Sequence, residues 1–198
     1  MKSIVTAVFL LLASEALCAQ ICQPPQAETV FYRTHKMEDL YMAQDFDQGK
    51  ILIVFKSSTG QNDEWSIVDL NAERTYMHSA DGSCQYVNHG PSGGKLGYEL
   101  FQQCLPAHAK LERSGDVDLY SMQSQSDGLK WLVAMKPIPD TEYYSMYFSR
   151  FFSRGVAGIG VVPVLDTFGV VYKHTLGLSD PTIFDKDVSA CVEGPSGE

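Results

Sequence analysis

The apolar residues of this chain arrive in short runs rich in Val, Ile, Tyr, Phe and Thr, without long stripes of the 3.6-residue helical period. β-branched and aromatic side chains suit a pleated, half-buried surface. The runs therefore predict strands at TVFYR from Thr29, ILIVFK from Ile51, EWSIVDL from Glu64 and RTYMH from Arg74. Four more follow at VDLYSMQ from Val117, KWLVAMK from Lys130, YYSMYF from Tyr143 and GVVYKHT from Gly169. Turn formers separate them, at Asp45 to Lys50, at Ser57 to Asp63 and at His89 to Gly94. Strands so spaced form antiparallel sheets. The expected fold is mainly β, two packed or curved antiparallel β-sheets with few short helices, and a curved sheet can also enclose a cavity.

The first residues predict export. Lys2 precedes an apolar run from Ile4 to Ala13, and small residues follow around Ala16 to Ala19. This is the layout of a cleaved signal peptide, expected over 1–19 with cleavage after Cys18 or Ala19. The apolar run is too short for a membrane span, which takes about twenty residues, and no comparable run comes later. Residues 20–198 are expected to form a single domain. They hold Cys22, Cys84, Cys104 and Cys191, an even set that favours two disulfides in an oxidising compartment and allows three pairings. No C-x-x-C pair or close Cys/His set points to zinc.

Acidic residues number 24 against 15 basic ones, a net charge of −9 without any basic block. Nucleic acid is excluded as an expected partner. An acidic surface can attract cations or basic matrix components, or serve only solubility. Between Val117 and Phe152 the chain concentrates Tyr120, Met122, Trp131, Met135, Tyr144, Met146 and Phe148. Such side chains line apolar ligand pockets, and they are equally ordinary core material. No Gly-x-Ser-x-Gly elbow, His-Glu-x-x-His pair or phosphate loop occurs. The GVAGIG run from Gly155 to Gly160 lacks the Lys-Ser/Thr ending, and its glycines are expected to bend a strand. His35, His78, His89, His108 and His174 are scattered. The expectation is a protein that is not an enzyme, and a hydrolase would have to be assembled from residues distant in sequence.

A family resemblance begins near the carboxyl end. Leu176-Gly177-Leu178-Ser179-Asp180-Pro181-Thr182-Ile183-Phe184, followed by Cys191, resembles the closing signature of the ependymin family. In it Asp180-Pro181 can open a short turn, Phe184 can pack inward and Cys191 can fasten the tail. Cys22-Gln23-Pro24-Pro25 is similar to the family's mature start. Gln44-Asp45 and Ile51-Leu52-Ile53 are similar to its strand, Asp-containing turn and strand. Cys84, Pro106-Ala107-His108-Ala109, Val162-Pro163-Val164 and the strand from Phe168 to Thr175 follow in the family's order. Two features depart from the pattern. Val161 stands where a Cys is expected, and Asn62, Asn71 and Asn88 lack a sequon.

The resemblance implies a secreted, non-enzymatic extracellular protein whose antiparallel sheets enclose a deep apolar pocket. It implies pairing of Cys84 with Cys191, which leaves Cys22 for Cys104. It also implies calcium binding and a role in the extracellular matrix or in cell-matrix adhesion, and it allows a homodimer. Oxygen-ligand candidates for calcium are Asp45 and Asp47, Asp116 and Asp118, and Asp180 with Asp185 and Asp187. None forms an EF-hand loop, since Lys50 and Lys56 occupy the positions that need Gly and Glu, so binding is expected to be weak. The second expected role is a soluble carrier of a lipid-like ligand, with Tyr120, Met122, Trp131, Met135, Tyr144, Met146 and Phe148 as the pocket wall.

Overall fold

The computed structural model describes residues 20–33, 38–55, 64–88, 102–123, 130–157 and 160–194. The signal peptide expected over 1–19, the turn at 57–63 and the loop at 89–94 lie outside them. Six strands lead the chain: β1 (Gln26–Arg33), β2 (Glu38–Asp45), β3 (Lys50–Phe55), β4 (Glu64–Asp69), β5 (Arg74–His78) and β6 (Cys84–Asn88). Six more follow: β7 (Lys110–Arg113), β8 (Asp118–Gln123), β9 (Lys130–Pro137), β10 (Tyr144–Ala157), β11 (Gly160–Leu176) and β12 (Val192–Glu193).

The strands hydrogen-bond in the order β12-β6-β5-β4-β3-β2-β1-β11-β10-β9-β8-β7. The ribbon comprises an eight-strand half, from β12 to β11, and a four-strand antiparallel half, from β10 to β7, joined where β10 pairs with β11. Hairpin order explains most of it, because consecutive strands joined by short turns pair with each other. Two features differ from expectation. β12 runs parallel to β6, because the tail returns across the sheet before it pairs. The expected short helices do not occur among the described residues. The chain at Pro181–Phe184 makes only successive turns, with Ile183 N–H donating to Asp180 and Asp185 N–H to Thr182. A segment this short does not repay helix nucleation. No helix among the described residues is long and apolar enough to cross a membrane.

Four β-bulges turn the ribbon. Tyr172, Tyr147, Val164 and Glu112 are each the extra residue where the register shifts, in the β1/β11, β9/β10, β10/β11 and β7/β8 pairs. An extra residue raises local twist and bends its strand. Within the Gly155–Gly160 run, Gly155 to Ala157 pair with Gly160 to Val162 at the end of the β10/β11 pair, and Gly158 and Ile159 lie outside the described residues.

Bending lets the halves meet face to face. Phe31, Met42, Ile51 and Val68 of the eight-strand half pack in one cluster with Tyr120, Met122, Trp131, Val133, Met135 and Met146 of the four-strand half. Side chains alternate along a strand, so the neighbours of those residues point away. On β2, β3 and β4 that second face is also buried. Ala43, Leu52 and Ile67 pack under Phe184, with Leu178 and Ile183 beside it. The segment from Gly177 to Cys191 is thus a strap across the outer face. Asp180 Oδ1 accepts from Thr182 N–H at 2.9 Å and from its hydroxyl at 2.7 Å, which fixes the turn that aims Phe184 inward.

Two disulfides complete the frame, Cys22–Cys104 and Cys84–Cys191. They suit an oxidising environment. Cys191 fastens the end of the strap to β6. Phe184 is 4 % exposed, so Phe184→Ala is expected to cost about 3–5 kcal/mol of stability by urea denaturation. Tyr147→Ala, at an exposed bulge, is expected to stay within about 0.5 kcal/mol. Equal effects would remove the strap from the core account.

Candidate functional site

Most of the residues expected to wall a ligand pocket between the sheets are buried where the two halves pack together. Tyr120, Met122, Trp131, Met135 and Met146 are at most 9 % exposed and belong to the cluster between the halves, with Tyr144 packed against it. The side chain of Phe148 lies outside the described set. Met122 and Trp131 have a second role, at the wall of a cavity elsewhere.

That cavity has a volume of about 500 Å³ and is half-open to solvent. Its apolar wall is Met122, Trp131 and Leu132. Its polar wall is Ser121, Gln123, Lys110, Glu112 and His108. Among the described residues none of the eight-strand half lines it, and its lining comes from β7, β8, β9 and the turn before β7. Trp131 pairs with Met122 and Leu132 with Ser121 across β8/β9. Neighbouring positions point to opposite faces, so the cavity draws on both faces at one end of that strand pair.

Local geometry sets the polar wall. Lys110 faces Ser121 and Leu111 faces Tyr120, but Arg113 faces Leu119, which leaves Glu112 bulged. A bulge re-aims its extra side chain. Glu112 Oε1 accepts from the Ser121 hydroxyl at 2.6 Å and lies 3.2 Å from Lys110 Nζ, while Oε2 accepts from Lys110 Nζ at 3.3 Å. The Ser121 hydrogen bond first, and Lys110 second, hold the Glu112 carboxyl below its ordinary value. Ala109 N–H donates to the Pro106 carbonyl in the preceding turn, and His108 stands exposed beside it.

The carboxylates singled out for calcium are dispersed and engaged. Asp45 is fully buried, its Oδ1 accepting from Gln48 N–H and its Oδ2 from the Gln26 and Gln48 side-chain amides, all at 2.9 Å. It holds the β2–β3 turn. Gly49 completes that turn at φ +67°, where an added Cβ would come within 2.7 Å of Asn71. Asp47 is exposed nearby. Asp118 accepts from the Ser114 hydroxyl and Gly115 N–H in the β7–β8 turn, and Asp116 is exposed. Asp180 and Asp187 accept from Thr182 and Ser189, whose hydrogen bonds hold both carboxyls below the ordinary value. Asp185 is exposed. Among the described residues no three His, Cys, Asp or Glu side chains stand together to hold a metal.

Two polar placements escape sequence reading. Glu28 on β1 reaches the strap, accepting from Ser179 N–H at 2.6 Å, and burial together with the Glu28 carboxylate pushes the Tyr41 phenol upward. His174 on β11 faces Thr29, with its Nδ1 2.9 Å from the hydroxyl and its Nε2 buried without a partner. An i,i+2 pattern could have placed Thr29 and His174 inward, but only strand register pairs them.

No family model matches the chain, and no curated protein matches it either.

Burial lowers the His174 pKa below its ordinary value. The folded state therefore holds the ring neutral while the unfolded chain binds a proton near pH 6.5. The resulting stability is complete above that value and is lost as pH falls through it toward the folded pKa. Urea titrations between pH 8 and pH 5 are expected to show a decline that His174→Gln flattens. An unchanged slope in the variant would assign the pH dependence to other groups.

Proposed function

We propose that this chain is a secreted, non-enzymatic extracellular protein of the ependymin type, and that it carries a lipid-like amphiphile in the cavity of β7, β8 and β9. The observation that supports it is the cavity itself. Its volume of about 500 Å³ falls within the range of about 300–1,000 Å³ typical of small-molecule sites, which combine apolar walls with a few placed polar groups. Trp131, Met122 and Leu132 offer the apolar side, and Lys110, Glu112 and Ser121 the polar side. Met adapts to flexible chains, and Trp offers a large apolar face.

The two disulfides fit an exported protein, and secretion agrees with the signal-like start of the sequence. A matrix or cell-matrix adhesion role stands second, on the ependymin resemblance and the net charge of −9. Calcium has less support than the amphiphile, because Asp45, Asp180 and Asp187 already accept hydrogen bonds from their own turns. The two roles are compatible, since a loaded carrier can sit in a matrix.

Native mass spectrometry of protein purified from its natural source, with and without calcium, separates them. Carriage predicts a copurified amphiphile that survives gentle desolvation and whose occupancy ignores calcium. An empty protein whose association changes with calcium would overturn carriage in favour of the matrix role.

A further inference from the structure

The polar wall of the cavity carries both signs of charge side by side. Lys110 Nζ and the Glu112 carboxylate lie 3.2 Å apart, with side chains 73 % and 37 % exposed. A pair so exposed contributes little to stability, so either member can exchange its partner for a ligand charge at small cost. Glu112 is the better fixed of the two, because its bulge aims it and Ser121 holds one oxygen. Its second oxygen, Oε2, has Lys110 as its hydrogen-bond donor. The Ser121 and Lys110 contacts also keep this carboxyl ionised well below neutral pH.

On the carrier reading above, we propose that the cavity selects a single-chain amphiphile with a zwitterionic head group, an anion and a cation close together as in phosphocholine. The ligand's anionic oxygens replace the carboxylate at Lys110, with His108 at the same rim. Its ammonium group lies against Glu112. The apolar chain runs along Leu132, Met122 and Trp131. A purely anionic ligand would place its charge beside Glu112 on a protein of net charge −9, which is repulsive. A purely cationic ligand would meet Lys110. The zwitterion satisfies both at once.

Four probes of equal chain length test this below their micelle concentrations: a lysophosphatidylcholine, a fatty acid, an alkyltrimethylammonium and a fatty alcohol. Affinities are measured by calorimetry on the intact mature protein. The lysophosphatidylcholine is expected to bind at least about tenfold tighter than the others. Glu112→Gln is expected to remove its advantage over the fatty acid, and Lys110→Gln its advantage over the alkyltrimethylammonium. Both side chains are exposed, and unchanged thermal unfolding verifies that the variants fold. Equal affinity for all four probes, or variants that bind as the parent does, would overturn the head-group selection while leaving carriage standing. No binding of any probe would overturn both.

Discussion

The rest of the structure depends on the short segment from Ile21 to Gln26, which ties the two halves of the sheet together. Cys22 bonds to Cys104, and around it Gln23 N–H donates to Gln103 while Leu105 N–H donates to Ile21. The carbonyl of Cys22 accepts from Tyr144 N–H at the start of β10, in the four-strand half. The carbonyl of Pro25 accepts from Phe46 N–H in the β2–β3 turn, in the eight-strand half, and Pro24 accepts from the buried Gln44 amide. One extended segment therefore satisfies backbone groups on both sides of the fold. The twelve strands pair with their neighbours in the ribbon, and this segment adds backbone hydrogen bonds to the side-chain packing between the halves. The two disulfides join residues 82 and 107 positions apart, long loops whose closure contributes on the order of 4 kcal/mol each in the chain-entropy picture.

β2, β3 and β4 are buried on both faces, by the four-strand half on one side and by the strap under Phe184 on the other. The sequence of β3 reads as a nearly continuous apolar run, ILIVF, because neither of its faces meets water. Tyr120, Met122, Trp131, Met135 and Met146 of β8, β9 and β10 pack into the cluster between the halves. A cavity lies at the periphery, where β7 is an edge strand of four exposed residues and a bulge breaks its ladder. Edges and bulges are where a sheet can present side chains for recognition without disturbing its core.

Much of this was legible in the sequence. β5 begins and ends where its β-branched and aromatic run does, at Arg74 and His78, and β3, β4, β8 and β9 fall within one residue of theirs. The closing Asp-Pro turn, the inward Phe184 and the fastening Cys191 are all present. Other elements are set by long-range pairing. EDLYMAQD of β2 holds three carboxylates and an Ala, a poor strand by composition, yet it lies between β1 and β3 where both edges demand a partner. KLER of β7 and the two residues of β12 exist only as borders to β8 and β6. The cavity was half visible. Trp131 and Met122 stood out as apolar candidates, whereas Lys110, Glu112 and Ser121 meet through a bulge that no local pattern announces.

Placement of the ligand at the edge of β7 to β9, outside the interface of the two halves, is best tested by amide and indole NMR with a spin-labelled single-chain amphiphile. Two tryptophans serve as internal reporters, Trp131 at the cavity and Trp65 stacked on His78 across the other half. Selective broadening of the Trp131 indole and of the Ser121 and Leu132 amides, with Trp65 unaffected, is the expected result. Broadening centred on Met42, Ile51, Met135 and Met146 would mean that the halves part to admit the ligand, and would contradict a closed core with a peripheral site.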